Sequence, residues 1–506
     1  MEAHVTGAAM DGSLWQLSAA EIAARVARRA VSARDVMRQA MERLEAVNPV
    51  INAVCTVNPD AAAEADAIDR RLASGAAPRP LEGVPFLVKD NIETAGVRTT
   101  YGSLTRADYV PKADSISVAR LKAAGAVLLG KSNTPEFAHD VTTTNRLFGM
   151  TRNPWNPEYT SGGSSGGSGA AVAAGIAPIA LGTDLGGSIR VPAAFNGIVG
   201  MRPSAGRVPA YPAPLAWENF VYHVQGPLTR NVGDLSLVMA ELCGPDDRDP
   251  ASLPPPAEDY RAIAATRRLD GARILYIRDF GGEIPMEPEV AEIARRAARR
   301  LTESGARVDD GDFDIGDLRA IVAGTRAFGM VARYSDLLAQ HRDLMQPQLI
   351  NQVEASLAYT VADIAKAELA RTAYYHRMRE VMVEYDFIVT PTAGITAYRL
   401  DRELPTHIGG KKVERFYDSI LGLYALSVTG FPVVAVPAGL TSDGLPVGMQ
   451  IMARRLRDDR ALAAAAAYEA LCPQCFLMPE VDTMWRKTSQ VETTTTGYTI
   501  AKTAGA

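Results

Sequence analysis

Cysteine and histidine are scarce in this sequence, with four cysteines and six histidines among 506 residues. So few cysteines exclude the disulfide framework of a small secreted protein. Cys472 and Cys475 form a CxxC motif, but neither a second CxxC nor a nearby histidine accompanies it, so we interpret them as ordinary cysteines. The histidines lack the spacing of metal ligands, and we predict neither a metal nor another cofactor.

Long apolar runs and an excess of positive charge are also missing. No segment reaches the ~18 uninterrupted apolar residues of a membrane helix. Residues 1–14 lack the basic and apolar regions of a signal peptide. We therefore expect a cytoplasmic protein that does not bind a membrane. The formal net charge is −5 with both signs mixed, so we predict no binding to nucleic acid.

Strand and helix patterns alternate over most of the chain. Short apolar runs such as Val84–Val88 and Ala126–Leu129 are typical of buried strands. Ser18–Glu21 has the form of a capping box before an amphipathic run. This alternation predicts an α/β fold, in which helices cover both faces of a central sheet.

The glycine- and serine-rich segment Ser161–Gly169 is the most informative part of the sequence. Its composition alone is that of a flexible linker. However, it runs directly into the helix-forming run Ala170–Ala174 and then into a strand pattern at Pro178–Leu181. Glycines at such a junction allow backbone amides to crowd around a reacting group, so we interpret the segment as part of a candidate site.

Another glycine motif, Gly125–Ser132, matches the nucleotide-binding expression G-x-x-x-x-G-K-S. A P-loop requires a loop between the two glycines and a helix that begins at the lysine. Here the intervening residues form a strand pattern, and Asn133-Thr134-Pro135 follows the lysine and serine. Nucleotide binding is therefore not predicted.

A second serine motif contains Ser188, which follows two glycines. The backbone N–H groups of Leu185, Gly186, Gly187 and Ser188 lie in succession there, in a turn that favours a concavity. Such a concavity of N–H groups is what an oxyanion hole requires. Ser188 is therefore a candidate nucleophile.

A serine nucleophile needs a base, and no histidine adjoins either serine motif in the sequence. Lys89 is the alternative, because it ends an apolar strand in which desolvation lowers the pKa of an amine. Asp90 next to it would raise that pKa, but neighbouring side chains of a strand point to opposite faces. A solvent-exposed lysine is the commoner case, and a histidine brought close by folding stays open as the base.

Together these motifs resemble the amidase signature family, from about Leu14 to about Pro479. The matching segments are Gly83–Asp90, Gly130–Phe137, Thr151–Trp155, Gly162–Gly167, Gly182–Arg190, Gly430–Pro432 and Gly444–Gln450. The resemblance implies one large domain with a central mixed β-sheet. It also implies a serine hydrolase that cleaves amide-type C–N bonds.

The domain organisation follows from the extent of this resemblance. We expect the amidase domain at residues 14–480, with flexible tails at 1–13 and 481–506. The Pro- and Asp-rich segment 244–262 is a candidate internal boundary, beyond which a more variable helical section begins.

The resemblance also assigns catalytic roles. It implies that Ser188 is the nucleophile, that Ser164 relays the proton and that Lys89 is the base. The peptide bond between Gly163 and Ser164 would be cis. Ser165 adjoins Ser164, and only the position within the motif selects between them.

Further residues are implied to support the site or to bind substrate. Asp184 and Arg190 would form a buried pair that braces the turn before Ser188. Substrate contacts are expected from Phe137, Ala138, His139 and Trp217, and the other candidates for an apolar pocket are Phe220, Phe328, Met330, Ile420 and Tyr424.

The expected substrate is a small-molecule amide, with an aryl amide as one form. Two alternatives stay open: a carbamate (urethane) or ester hydrolase that uses the same relay, and the glutaminase subunit of a tRNA-dependent amidotransferase. The expected assembly is a monomer or a homodimer.

Overall fold

The computed structural model describes residues 13–213, 215, 223–401, 405–413, 418 and 420–481. Trp217 and Phe220 of the predicted pocket lie outside these residues. Except for Ser13 and Val481, so do the two predicted tails.

An eleven-stranded sheet forms the centre of the described chain. In chain order its strands are β1 (Val54–Val57), β2 (Pro85–Lys89), β3 (Val127–Ser132), β4 (Ile179–Asp184), β5 (Val199–Arg202), β6 (Val224–Thr229), β7 (Arg273–Ile277), β8 (Arg307–Gly311), β9 (Phe387–Pro391), β10 (Val433–Leu440) and β11 (Pro446–Ala453). Their order across the sheet is β1-β3-β2-β4-β6-β5-β10-β11-β9-β7-β8.

Helices cover both faces of this sheet, which confirms the predicted α/β fold. They are α1 (Ala19–Ala27), α2 (Ala33–Ile51), α3 (Ala61–Ala73), α4 (Ile116–Ala123), α5 (Gly166–Ala173), α6 (Arg190–Asn196), α7 (Val232–Leu242), α8 (Tyr260–Ile263), α9 (Pro288–Arg300), α10 (Leu318–His341), α11 (Pro347–Leu357), α12 (Val361–Glu384), α13 (Leu421–Ser427) and α14 (Asp458–Leu471).

The sheet is mixed, as the family resemblance implies. Strand β2 lies between β3 and β4 and is parallel to both, whereas β4 pairs antiparallel with β6. Strands β7 and β8 follow the segment 244–262 in the chain and join the same sheet. The strands on the two sides of that segment therefore share one domain.

Local sequence signals explain several helix ends. The Ser18 hydroxyl accepts a hydrogen bond from the N–H of Glu21, and the Glu21 carboxylate accepts one from the N–H of Ser18, so the predicted capping box is present. At α2, the Ser32 hydroxyl accepts from the N–H of Asp35 at 2.9 Å. Each bond satisfies an N–H that a helix start leaves unpaired.

Two carboxylates tie the first helix to the last. Asp234, in α7, accepts hydrogen bonds from the N–H groups of Ala19 and Ala20 at 2.8 and 3.0 Å. Glu469, in α14, accepts from the N–H of Val232 at 3.2 Å. The pKa of Glu469 is raised to about 7. Burial is the largest cause, and the charge of Asp234 contributes to the increase.

One local prediction needs correction. Strand β3 continues beyond the expected end at Leu129 and contains Lys131, whose ammonium donates to Thr94 Oγ1 at 2.8 Å. A lysine inside a strand cannot begin the helix of a P-loop.

Candidate active site

Lys89 is the last residue of β2, and its side chain is fully buried. Its Nζ lies 2.7 Å from Ser164 Oγ and 2.9 Å from Thr183 Oγ1. Burial lowers the pKa of Lys89 well below its usual range, and the charge of Asp184 opposes this shift only in part. A neutral amine next to a serine hydroxyl can accept its proton.

Asp90, the next residue, interacts on the other side of the strand. Its carboxylate accepts hydrogen bonds from the N–H and the hydroxyl of Thr100. Burial raises the pKa of Asp90 to about 6, although the nearby Lys131 lowers it. Asp184, not Asp90, is therefore the carboxylate whose charge raises the pKa of Lys89.

The backbone around Ser164 is closely packed against neighbouring segments. The Gly163–Ser164 peptide bond is cis, and the hydroxyl of Thr134 donates to the Ser164 carbonyl at 3.1 Å. A Cβ on Gly163 would lie only 2.8 Å from the carbonyl oxygen of Asp140. Glycine is therefore required where the chain near Asp140 passes beside Ser164.

The two serine motifs lie against each other. The N–H of Ser165 donates to the carbonyl of Ser188 at 3.1 Å. The hydroxyl of Ser165 donates to the carbonyl of Thr183, and that of Ser168 lies 2.7 Å from Ser132 Oγ. Among the described residues, no hydrogen-bond partner holds the hydroxyl of half-buried Ser188.

Asp184 is the centre of a buried ionic cluster. Its carboxylate forms ion pairs with Arg190 Nε at 3.0 Å and with Arg202 Nη1 at 3.3 Å. All three side chains are fully buried. Burial raises the pKa of this carboxyl, but Arg190 and Arg202 outweigh that effect and hold it below its usual range. The structure thus adds Arg202 to the Asp184–Arg190 pair that was predicted from the sequence. The signal for Arg202 in the sequence is a charged residue at the end of an apolar strand.

The backbone before Ser188 only partly matches the predicted oxyanion hole. The N–H of Gly187 donates to Asp184 Oδ1 at 2.8 Å, so this donor is already bound. Within the described chain, the N–H groups of Leu185, Gly186 and Ser188 have no acceptor. The oxyanion hole stays a prediction, for which the N–H of Gly187 is already bound within the protein.

Helix α13 forms a wall over this turn. A Cβ on Gly186 would lie 2.1 Å from Cζ of Tyr424, and one on Gly187 would lie 2.6 Å from Cδ1 of Leu423. The phenol ring of Tyr424 therefore covers the backbone of Gly186 directly. Tyr424, one of the candidate pocket residues, lies at the site.

Three of the predicted substrate-contact residues, Phe137, Ala138 and His139, directly precede Asp140, whose carbonyl oxygen lies close to Gly163. Phe137 and Ala138 both have positive φ, and the ring of Phe137 contacts that of Tyr334 at a centroid distance of 5.2 Å. His139 Nε2 lies 3.1 Å from the phenol oxygen of Tyr334. Phe328, by contrast, is 55% exposed.

The described residues contain no cluster of histidine, cysteine and carboxylate side chains suited to a metal ion. In that same part of the chain, no helix combines the length and apolar character needed to cross a membrane.

Comparison with known proteins shows similarity over most of the chain. Residues 35–462 match the sequence model of the Amidase family. An acylamidase from Rhodococcus erythropolis is 34% identical over 468 residues, which cover 92% of this chain and 97% of that protein. A glutamyl-tRNA(Gln) amidotransferase subunit from Moorella thermoacetica is 37% identical over 481 residues, which cover 90% and 96% of the two chains.

A solved structure is similarly close. The crystal structure of a bacterial aryl acylamidase, an amidase signature enzyme, superposes with a TM-score of 0.84 at 34% identity. The match covers 92% of this chain and 98% of the other.

Proposed function

Because the chain belongs to the amidase signature family and is a hydrolase acting on carbon–nitrogen bonds, we propose that it cleaves amides through an acyl-enzyme on Ser188. In this proposal Ser164 relays the proton and Lys89 is the base. The observation that carries it is the 2.7 Å contact between Lys89 Nζ and Ser164 Oγ, inside a buried site that lowers the pKa of the amine and so favours its neutral form.

The proposed reaction has two halves. Ser188 Oγ attacks the amide carbonyl carbon while its proton passes to Ser164, whose own proton passes to Lys89. The relay then runs in reverse, so that Ser164 protonates the leaving nitrogen as the C–N bond breaks. In the second half, water attacks the acyl-enzyme through the same relay and releases the acid.

The negative charge that forms on the carbonyl oxygen needs hydrogen-bond donors. The free N–H groups of Leu185, Gly186 and Ser188 supply them in our proposal, and Gly187 is omitted because Asp184 already accepts its N–H. Asp184, held by Arg190 and Arg202, is proposed to fix the turn that carries these donors.

Covalent labelling tests the nucleophile. A fluorophosphonate is expected to modify Ser188 once per chain, as located by mass spectrometry of peptides. Ser188→Ala is expected to abolish labelling and to lower kcat by at least ~10³, because removal of a triad member has this effect in serine hydrolases.

Ser165→Ala is the matched control, because Ser165 is the neighbouring serine and its hydroxyl is bound to the backbone of Thr183. We expect this variant to label normally at Ser188. Labelling that maps to Ser165, or an active enzyme that no probe modifies, would contradict the assignment.

An ester or carbamate substrate is the nearest alternative, since the same relay and oxyanion donors serve any acyl transfer. The solved aryl acylamidase favours an aryl amide as the substrate of this chain. A panel of anilides, aryl esters and aryl carbamates with one common acyl group separates the three, because only the bond to the leaving group differs.

A glutaminase role is the second candidate. It rests on the 37% identity to one component of glutamyl-tRNA(Gln) amidotransferase. If the chain is an independent amidase, the purified protein is expected to hydrolyse simple anilides alone and to release little ammonia from glutamine. Rapid ammonia release without anilide hydrolysis would favour the glutaminase role.

A further inference from the structure

Arg326, in α10, joins the two sides of the candidate site. Its Nη1 donates to the phenol oxygen of Tyr424 at 3.2 Å, and its Nη2 lies 3.4 Å from His139 Nδ1. Tyr424 covers Gly186, whereas the residue after His139 is Asp140, whose carbonyl flanks Gly163. The guanidinium therefore lies between the segment that contains Ser164 and the turn Leu185–Ser188. We call this turn, which carries the proposed oxyanion donors, the oxyanion turn.

The hydrogen bonds of this guanidinium are incomplete. Its Nε is buried and has no hydrogen-bond partner, and within the described chain no carboxylate forms an ion pair with it. Burial lowers the pKa of His139 well below its usual range, so the imidazole that faces Arg326 is neutral. An arginine at a buried site normally has an anionic partner, whereas the hydrogen-bond partners of partly buried Arg326 are a phenol and a neutral ring.

Two guanidinium groups lie near His139. The charges of Arg326 and Arg333 both lower its pKa, although burial is the largest cause. A pocket with this field favours an anionic group over a neutral one of the same shape. Guanidinium forks bind carboxylates by two parallel N–H···O bonds, so a carboxylate matches the unused donor.

We propose that Arg326 binds a carboxylate on the substrate, which makes carboxylate-bearing amides the preferred class. This inference rests on the proposed function, because it assigns the specificity of that same site. Tyr424 and His139 position the guanidinium. The substrate carboxylate then supplies the anionic partner that no acidic residue of the described chain provides.

Ligand binding to the Ser188→Ala variant tests this without turnover. The neutral ligand is pentanoyl-4-nitroanilide. Glutaryl-4-nitroanilide places the carboxylate on the acyl side, and N-pentanoyl-4-aminobenzoate places it on the amine side. We expect one of the two anions to bind about 10- to 100-fold more tightly than the neutral anilide by calorimetry, the range of a charge-assisted hydrogen bond.

Adding Arg326→Met to Ser188→Ala is expected to reduce this preference to less than about 2-fold, with little change for the neutral ligand. Arg326→Lys keeps the charge but not the fork, so it is expected to keep part of the preference. Arg319→Met is the matched control, since Arg319 lies in the same helix and pairs with Asp418 at 2.9 Å. Thermal unfolding of each variant verifies that it folds.

The inference is overturned if the neutral anilide binds Ser188→Ala as tightly as both anions. It is equally overturned if Arg326→Met and Arg326→Lys weaken all three ligands alike. A failure of the proposed function gives a different result: either the wild-type protein releases no nitroaniline from the anilides, or Ser188→Ala still releases it, whatever the preference among ligands.

Discussion

Single residues decide the protonation state on which the proposed mechanism depends. Asp184 is the one carboxylate whose charge raises the pKa of Lys89, and Arg190 and Arg202 both pair with it. Two cations against one anion leave this cluster with a net positive charge. The two arginines therefore weaken the attraction that would otherwise favour an ammonium on Lys89.

Lys89→Arg is expected to lower kcat for amides by at least ~10³, because a guanidinium stays protonated and cannot accept the proton of Ser164. In the wild-type enzyme, burial lowers the pKa of Lys89, and the active form is the neutral amine. Activity should thus rise with pH through one ionisation well below the ordinary lysine value and stay high beyond it. Plots of kcat/KM against pH measure this.

An active Lys89→Arg enzyme with an unchanged pH profile would place the base elsewhere. Lys122→Arg is a matched control, because Lys122 pairs with Asp114 at 3.0 Å on the surface-facing helix α4 and is partly exposed. We expect this control to keep the wild-type profile.

At the level of elements, α13 limits the backbone of the oxyanion turn. The side chains of Leu423 and Tyr424 lie where Cβ atoms on Gly187 and Gly186 would be. In the same helix, Ser427 Oγ accepts from Arg190 Nη2 at 2.5 Å. One short helix thus contacts both the turn and the ionic cluster beneath it.

Gly186→Ala is expected to lower kcat by about 10²-fold or more, because its Cβ displaces either the Tyr424 ring or the turn that carries the oxyanion donors. Replacing Tyr424 with alanine in the same variant removes the clash and is expected to restore part of kcat. Steady-state kinetics on a neutral anilide measures both effects.

Gly422→Ala is the matched control in α13, since its Cβ would meet nothing closer than 3.4 Å. This change is expected to leave kcat near the wild-type value. If Gly186→Ala were as harmless as Gly422→Ala, the turn would not hold the oxyanion donors.

Local patterns predict local structure well here. The capping box at Ser18 and the buried strand before Lys89 follow from residues that are close in sequence, because helix caps and strand periodicity are short-range effects. The side chain of Arg202, the position of Arg326 and the capture of the Gly187 N–H by Asp184 were not predicted. The first two depend on how distant segments meet, and the third depends on the detailed conformation of one turn; periodicity encodes neither.

Over the whole molecule, α7 connects the two ends of the described chain. Its first turn binds α1 through Asp234 and α14 through Glu469. The pKa of Glu469 is raised to about 7, so the folded protein keeps a proton there that the unfolded chain has already lost above its ordinary pKa of 4.5. The stabilisation of the folded state by this proton is fully present below pH 4.5 and is lost as the pH rises through about 7.

Glu469→Gln is expected to change little at pH 5 and to stabilise the protein at pH 8, by up to about 3 kcal/mol for a shift of this size. The amide resembles the protonated acid and keeps an acceptor for the N–H of Val232. Urea unfolding at several pH values measures the difference. A constant difference from pH 5 to pH 8 would contradict the assignment to Glu469.

The proposed reacting groups and the proposed carboxylate-binding residue come from different parts of the chain. Lys89, Ser164 and Ser188 all come from the first two hundred residues, whereas Arg326 and Tyr424 come from α10 and α13, far downstream. The two groups meet only because both halves build one sheet. Recombination between related genes at a junction beyond β6 would therefore replace Arg326 and Tyr424 together and leave Lys89, Ser164 and Ser188 unchanged. Such an exchange is a route by which this fold can acquire new substrate specificities.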